Sequence, residues 1–176
     1  MKYIILLTLL AFSSCNSKKE EPKAEHHGHS HAENAIEETY TYDPFFLDVM
    51  SMHFEQEMRL ATLGMQKTKN VTILNFSQKV MAIEAQDLEK IKAWREELYK
   101  KVPKVEKDKF DLSELENAKE KDFDKKFIER FKQLTSKGME ISKMGAEQNF
   151  EPAIKTYADE VQGRLAERLI NLEKVK

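Results

Sequence analysis

The sequence predicts an all-α fold, a four-helix bundle made of two duplicated helical hairpins. Three observations carry that expectation. Gly and Pro together supply 9 of 176 residues (5 Gly, 4 Pro), well under the roughly 12% of average usage, which disfavours turn-rich β-sandwiches and glycine-looped α/β folds. Helix start and stop signals recur from Asp43 onward. The chain also matches itself, without a gap, at an offset of 81 positions: Asp43 meets Asp124, Phe46 meets Phe127, Met58 meets Met139 and Gly64 meets Gly145, and in the following helices Ile73 meets Ile154, Val80 meets Val161, Ala85 meets Ala166 and Leu88 meets Leu169. A constant offset through two helices and a turn marks an internal duplication. At this length a single domain is expected.

The first fourteen residues read as an address rather than as fold. Met1-Lys2 is a short positive start, and Tyr3 to Phe12 an apolar run too short to span a bilayer but suited to a signal-peptide core. Leu10-Ala11-Phe12-Ser13-Ser14-Cys15 resembles a bacterial lipobox. Cys15, the single cysteine, is therefore expected to be acylated and to anchor the chain to a membrane of the cell envelope. Residues 15–40 mix both charge signs without apolar periodicity and cannot bury enough surface to fold, so a flexible tether with a reach of roughly 25 to 30 Å is expected. Within it His26, His27, His29 and His31 hold four of the five histidines. Neutral imidazoles suit Zn, Cu and Ni, and the same tract also serves as a hydrophilic spacer that gains charge as imidazoles protonate.

The bundle is expected over residues 41–176, with repeats over about 43–101 and 122–175. Asp43 reads as the cap of the first helix with Pro44 at its first position, and Asn70 as the cap of a second that runs to about Lys101 before Pro103. After a charged connection, Ser113 starts a short helix, Asp122 or Asp124 a long one, and Pro152 opens the last. Helical periodicity places Phe46, Leu60, Ile73, Phe76, Val80, Leu88, Ile91, Phe127, Ile141, Ile154, Tyr157, Val161 and Leu169 in the core.

Four ionisable residues fall inside these apolar arcs: His53 and Glu57 on the first helix, Glu84 and Asp87 on the second. Burying unpaired charge is costly. One imidazole with two or three carboxylates suits a divalent metal; the same four residues also suit a structural network in which Arg168 or Arg95 neutralises Glu84 or Asp87 and His53 donates to Glu57. At the equivalent positions the second repeat has Leu134, Gly138, Leu165 and Arg168, so the fold does not require the quartet.

The run Phe46-Leu47-Asp48-Val49-Met50-Ser51-Met52-His53-Phe54, then Leu60-Ala61, resembles the family called domain of unknown function 305, whose first helix reads F-x-x-M-x-x-H-H and then M-A. Glu84, Asp87, Leu88, Ile91 and Trp94 fit its second helix. The resemblance implies a ferritin-like bundle, often secreted or lipid-anchored, with copper binding in some members. The family's histidine pair is reduced to His53 followed by Phe54, and to Leu134 and Thr135 in the second repeat, so copper binding carries over to His53 alone.

Other chemistries lack support. With 29 basic and 31 acidic side chains and a net charge of -2, no field draws nucleic acid. No Ser-His-Asp order, Cys-His pair, phosphate-cradling loop or H-E-x-x-H run occurs, and the Glu-x-x-His turns of a di-iron centre are missing from the bundle, so no enzyme is expected. Met50, Met52, Met58, Met65, Met81, Met139 and Met144 suit either Cu(I), through thioether sulfur, or ordinary core filling. Two functions remain: a lipoprotein that binds or buffers copper or zinc, and a scaffold lipoprotein that holds a partner at the envelope.

Overall fold

The computed structural model describes residues 42–107 and 109–175. The leader, Cys15 and the tether histidines His26, His27, His29 and His31 lie outside the described residues. Five helices follow in order: α1 Tyr42–Lys67, α2 Val71–Leu98, the single turn α3 Ser113–Glu116, α4 Glu120–Gln148 and α5 Pro152–Glu173. The turns are short because each next helix is started locally. Asn70 accepts the N–H groups of Thr72 at 2.9 Å and Ile73 at 3.4 Å, and Pro152 occupies the first turn of α5 behind the Glu151 cap.

α1 pairs with α2, α4 with α5, and α1 with α4. Reciprocal packing fixes the direction of that last pair. Gly64, late in α1, lies under the Phe127 ring, early in α4, and Gly145, late in α4, lies under the Phe46 ring, early in α1; a methyl group at either glycine would collide with the ring. The two hairpins therefore meet antiparallel through the same pair of residue types used twice. This is the duplication seen as packing, and it needs the glycines because only a missing Cβ lets an aromatic ring approach the backbone so closely.

The connection from α2 to α4 must run the length of the bundle, the single long crossover of ferritin-like topology. It is tied down on its way. Arg95 donates to the Asp48 carboxylate at 2.8 Å and to the carbonyls of Val102 at 2.9 Å and Pro103 at 3.0 Å, while the Val105 N–H reaches Asp48 at 3.0 Å. Phe110 lies between the guanidinium groups of Arg59, 5.5 Å away, and Arg130, 5.3 Å away. Lys67 then donates to the carbonyls of Leu115, at 3.1 Å, and Glu116 at the end of α3.

Differences from expectation are local. α1 begins before Asp43, whose carboxylate does not cap it; it accepts the N–H groups of Phe150 at 2.8 Å and Glu151 at 3.2 Å and the Tyr99 hydroxyl at 2.6 Å, holding three chain segments together at one end. α2 stops at Leu98 and α4 starts at Glu120 without a side-chain cap. Leu169, Phe76 and Leu88 are only half-buried, whereas Phe54, Phe123, Phe131 and Leu165 join the core unforeseen. Phe123 and Phe131 extend the Phe127 stripe into a run of ring contacts.

Candidate functional site

Midway along the bundle the apolar core is interrupted. One half-core contains Phe46, Met50, Phe54, Ile91, Tyr157 and Leu165; the other contains Leu60, Val80, Phe127, Phe131, Leu134 and Leu172. Where the two meet, on three helices, sit His53 and Glu57 of α1, Glu84 of α2 and Arg168 of α5, all buried. Helical spacing brings His53 and Glu57 onto one face, and their side chains approach to 3.4 Å. Arg168 donates from one terminal nitrogen to Glu57 at 2.6 Å and from the other to Glu84 at 2.6 Å.

The predicted quartet is thereby divided, and two arginines meet its carboxylates. Asp87 pairs with Arg164 at the edge of the cluster, while His53, Glu57 and Glu84 are gathered around Arg168. Among the described residues no group of three or more His, Cys, Asp or Glu is set to hold a metal ion. The physical reason is that α5 brings its own cation: Arg168, the repeat equivalent of Asp87, supplies the positive charge that two buried carboxyl groups require. Gly138, the second-repeat equivalent of Glu57, lies against the His53 ring, and Leu165, the equivalent of Glu84, packs against the same glycine. Neither His53 nitrogen has a hydrogen-bond partner, and Glu57 Oε1 and Glu84 Oε2 share that condition.

Two carboxyl groups facing one guanidinium cannot both ionise cheaply. Burial first, then the charge of Glu57, outweigh Arg168 at Glu84 and push its pKa up to about 8. Burial acts on Glu57 too, but the Arg168 charge and the His53 contact together lower its pKa to about 2. The pair keeps one proton at neutral pH, leaving one negative charge for one positive. The unfolded chain loses the Glu84 proton near pH 4.5 and the folded chain near 8. The stability this group contributes is therefore full below about pH 4.5 and declines as pH rises to 8, by up to about 1.4 kcal/mol per pH unit. Glu57 has the opposite sign: its contribution is present above pH 4.5 and fades as pH falls toward 2. Urea unfolding at pH 5, 6.5 and 8 should show falling stability across the series in the native chain and a flat response in Glu84→Gln. Equal slopes in both would place the titration elsewhere.

The fold and this buried layer define a ferritin-like helical bundle whose centre holds an ionic network. The chain belongs to the family described as domain of unknown function DUF4142, which matches residues 28–175. No curated protein sequence matches it. Among solved structures, CopM in the Cu(II)-bound form is similar at 16% identity and TM-score 0.68, over 77% of this chain and 95% of that one. CopM in the Cu(I)-bound form is similar at 16% identity and TM-score 0.67, over 75% and 93%. A putative secreted DUF305 protein from Streptomyces coelicolor is similar at 14% identity and TM-score 0.68, over 75% and 88%. At these identities the likeness establishes the shared helical fold. It sustains the resemblance to helical families of unknown function without restoring the missing histidine pair.

Proposed function

We propose that this chain is a non-enzymatic cell-envelope lipoprotein that binds or buffers transition metal ions, copper or zinc, through its N-terminal histidine tract, with the bundle as its stable carrier. The observation that carries the reading is the spacing of His26, His27, His29 and His31, four imidazoles within six residues. The similarity in fold to a protein solved with Cu(I), Cu(II) and silver bound supports it. So does the occupation of the bundle's carboxylates by Arg168 and Arg164, which leaves the tract as the better ligand set. Calorimetric titration with Cu(II) or Zn(II) is expected to show weak, exchangeable binding with proton release, lost below about pH 6 as the imidazoles protonate. Replacing the four histidines should abolish it; the same uptake after replacement would remove the tract from the reading.

The anchor is tested separately. Cys15→Ala should release a soluble product or leave unprocessed precursor, whereas a processed, membrane-bound protein carrying no lipid would contradict acylation at Cys15. The alternative, a scaffold that holds a protein partner at the envelope, is favoured if neither copper nor zinc binds.

A further inference from the structure

Among the described residues six large apolar side chains are exposed, Val71 at 66% and Ile170 at 54% toward the end that carries the α1–α2 turn and the other four toward the opposite end. Phe150 is 77% exposed, Phe45 46% and Leu98 44%, and all three sit at the end of the bundle where α1 begins, α2 and α4 end and α5 begins. Asp43 shows that these segments adjoin, since its carboxylate binds the Phe150 N–H at one oxygen and the Tyr99 hydroxyl at the other. Tyr42 stacks on Phe45 with ring centroids 5.3 Å apart, and Met144, 41% exposed, lies in the last turns of α4. Lys100, Lys101, Lys104 and Lys155 stand exposed around the same end, beside the exposed Glu96, Glu97 and Glu147. Single exposed apolar residues are ordinary, but aromatic rings grouped with lysines on one end have the composition that partitions to the interface of a bilayer.

Chain connectivity names the occupant. Residues 16–41, 26 in all, join Cys15 to α1 at Tyr42, so whatever holds Cys15 is attached to this end and not to the end carrying the α1–α2 turn. We propose that the Tyr42, Phe45, Leu98 and Phe150 end of the bundle is a membrane-docking surface, seated on the same lipid surface that carries the Cys15 anchor. Phe150 and Phe45 enter the headgroup region, and the lysines face anionic lipid phosphates. The bundle then stands end-on at the surface, with the α1–α2 turn and the far half of the long crossover pointing away. The proposal rests on the anchoring part of the reading above and is independent of metal binding.

Two tryptophan reporters test it, each in the full chain with Trp94→Phe, the native chain's single tryptophan. Phe150→Trp reports the docking end. Val71→Trp, at a position 66% exposed in the opposite turn, reports the far end. Chemical coupling of Cys15 to a maleimide lipid in vesicles containing phosphatidylglycerol sets the attachment without relying on acylation in the cell, so failure of docking and failure of the anchor are distinguished. Brominated lipid is expected to quench Phe150→Trp at least about threefold more than Val71→Trp, with a blue-shifted emission at position 150 only. Replacing both Lys100 and Lys101 with Glu should weaken that quenching. Equal, water-like emission at the two positions overturns the proposal. So does a blue shift at position 150 that appears without vesicles and grows with protein concentration, since a second copy of the chain would then cover the surface.

Discussion

Arg168→Ala is expected to destabilise the bundle by roughly 3 to 5 kcal/mol at neutral pH, the cost typical of removing one partner from a buried ionic group. Arg168 is the shared cation for Glu57 and Glu84, each 2.6 Å from it, and both carboxyl side chains are buried. Without the guanidinium, Glu57 has only the His53 contact at 3.4 Å. The loss should be smaller at pH 5 than at pH 8, because protonation can remove the stranded charge. A triple variant, Arg168→Met with Glu57→Leu and Glu84→Leu, should recover most of the lost stability, since a buried ionic group replaced whole by apolar side chains is often neutral or stabilising. Urea midpoints of the native chain, Arg168→Ala and the triple variant, each at pH 5 and pH 8, measure this. An Arg168→Ala loss below about 1 kcal/mol would mean that water already reaches the carboxylates.

Phe46→Ala and Phe127→Ala should each cost about 3 to 5 kcal/mol. Both rings are fully buried, and each fills the space over a glycine of the other hairpin. The two costs should be similar because the two contacts are copies of one another. The reciprocal change is informative too: Gly145→Ala pushes a methyl group into the Phe46 ring, and overpacking of this kind costs typically 1 to 3 kcal/mol. Adding Phe46→Leu to Gly145→Ala should cost less than the sum of the single changes, whereas strict additivity would show that the ring and the glycine do not meet.

The core was legible in the sequence to the extent that it repeats. The offset of 81 aligned Phe46 with Phe127 and Gly64 with Gly145, and the fold uses those alignments as its contact between hairpins. Asp43 reads as a cap because a carboxylate before a proline is a local signal, while its partners in the fold, Phe150, Glu151 and Tyr99, are brought to it only by the closed bundle. The buried cluster was half visible. Periodicity placed His53, Glu57, Glu84 and Asp87 inward, but which cation meets which carboxylate depends on how far α5 slides along α2. That register sends Arg168 to Glu84 and Arg164 to Asp87, one helical turn apart on each strand of the pairing. The Asp48–Arg95 clamp is not legible in the sequence because its carboxylate lies among large apolar residues, Phe46, Leu47 and Met50, and nothing in the helix itself reveals that the crossover passes there.

Metal binding at the histidine tract is tested most directly by the copper or zinc that the purified protein takes up in equilibrium dialysis, compared with a form in which His26, His27, His29 and His31 are replaced. The native form is expected to retain metal at gentle pH and lose it on acidification, and the replaced form to contain none while unfolding at the same urea midpoint. Equal uptake by both forms, or none by either at saturating copper and zinc, would contradict a metal-binding function for this tract.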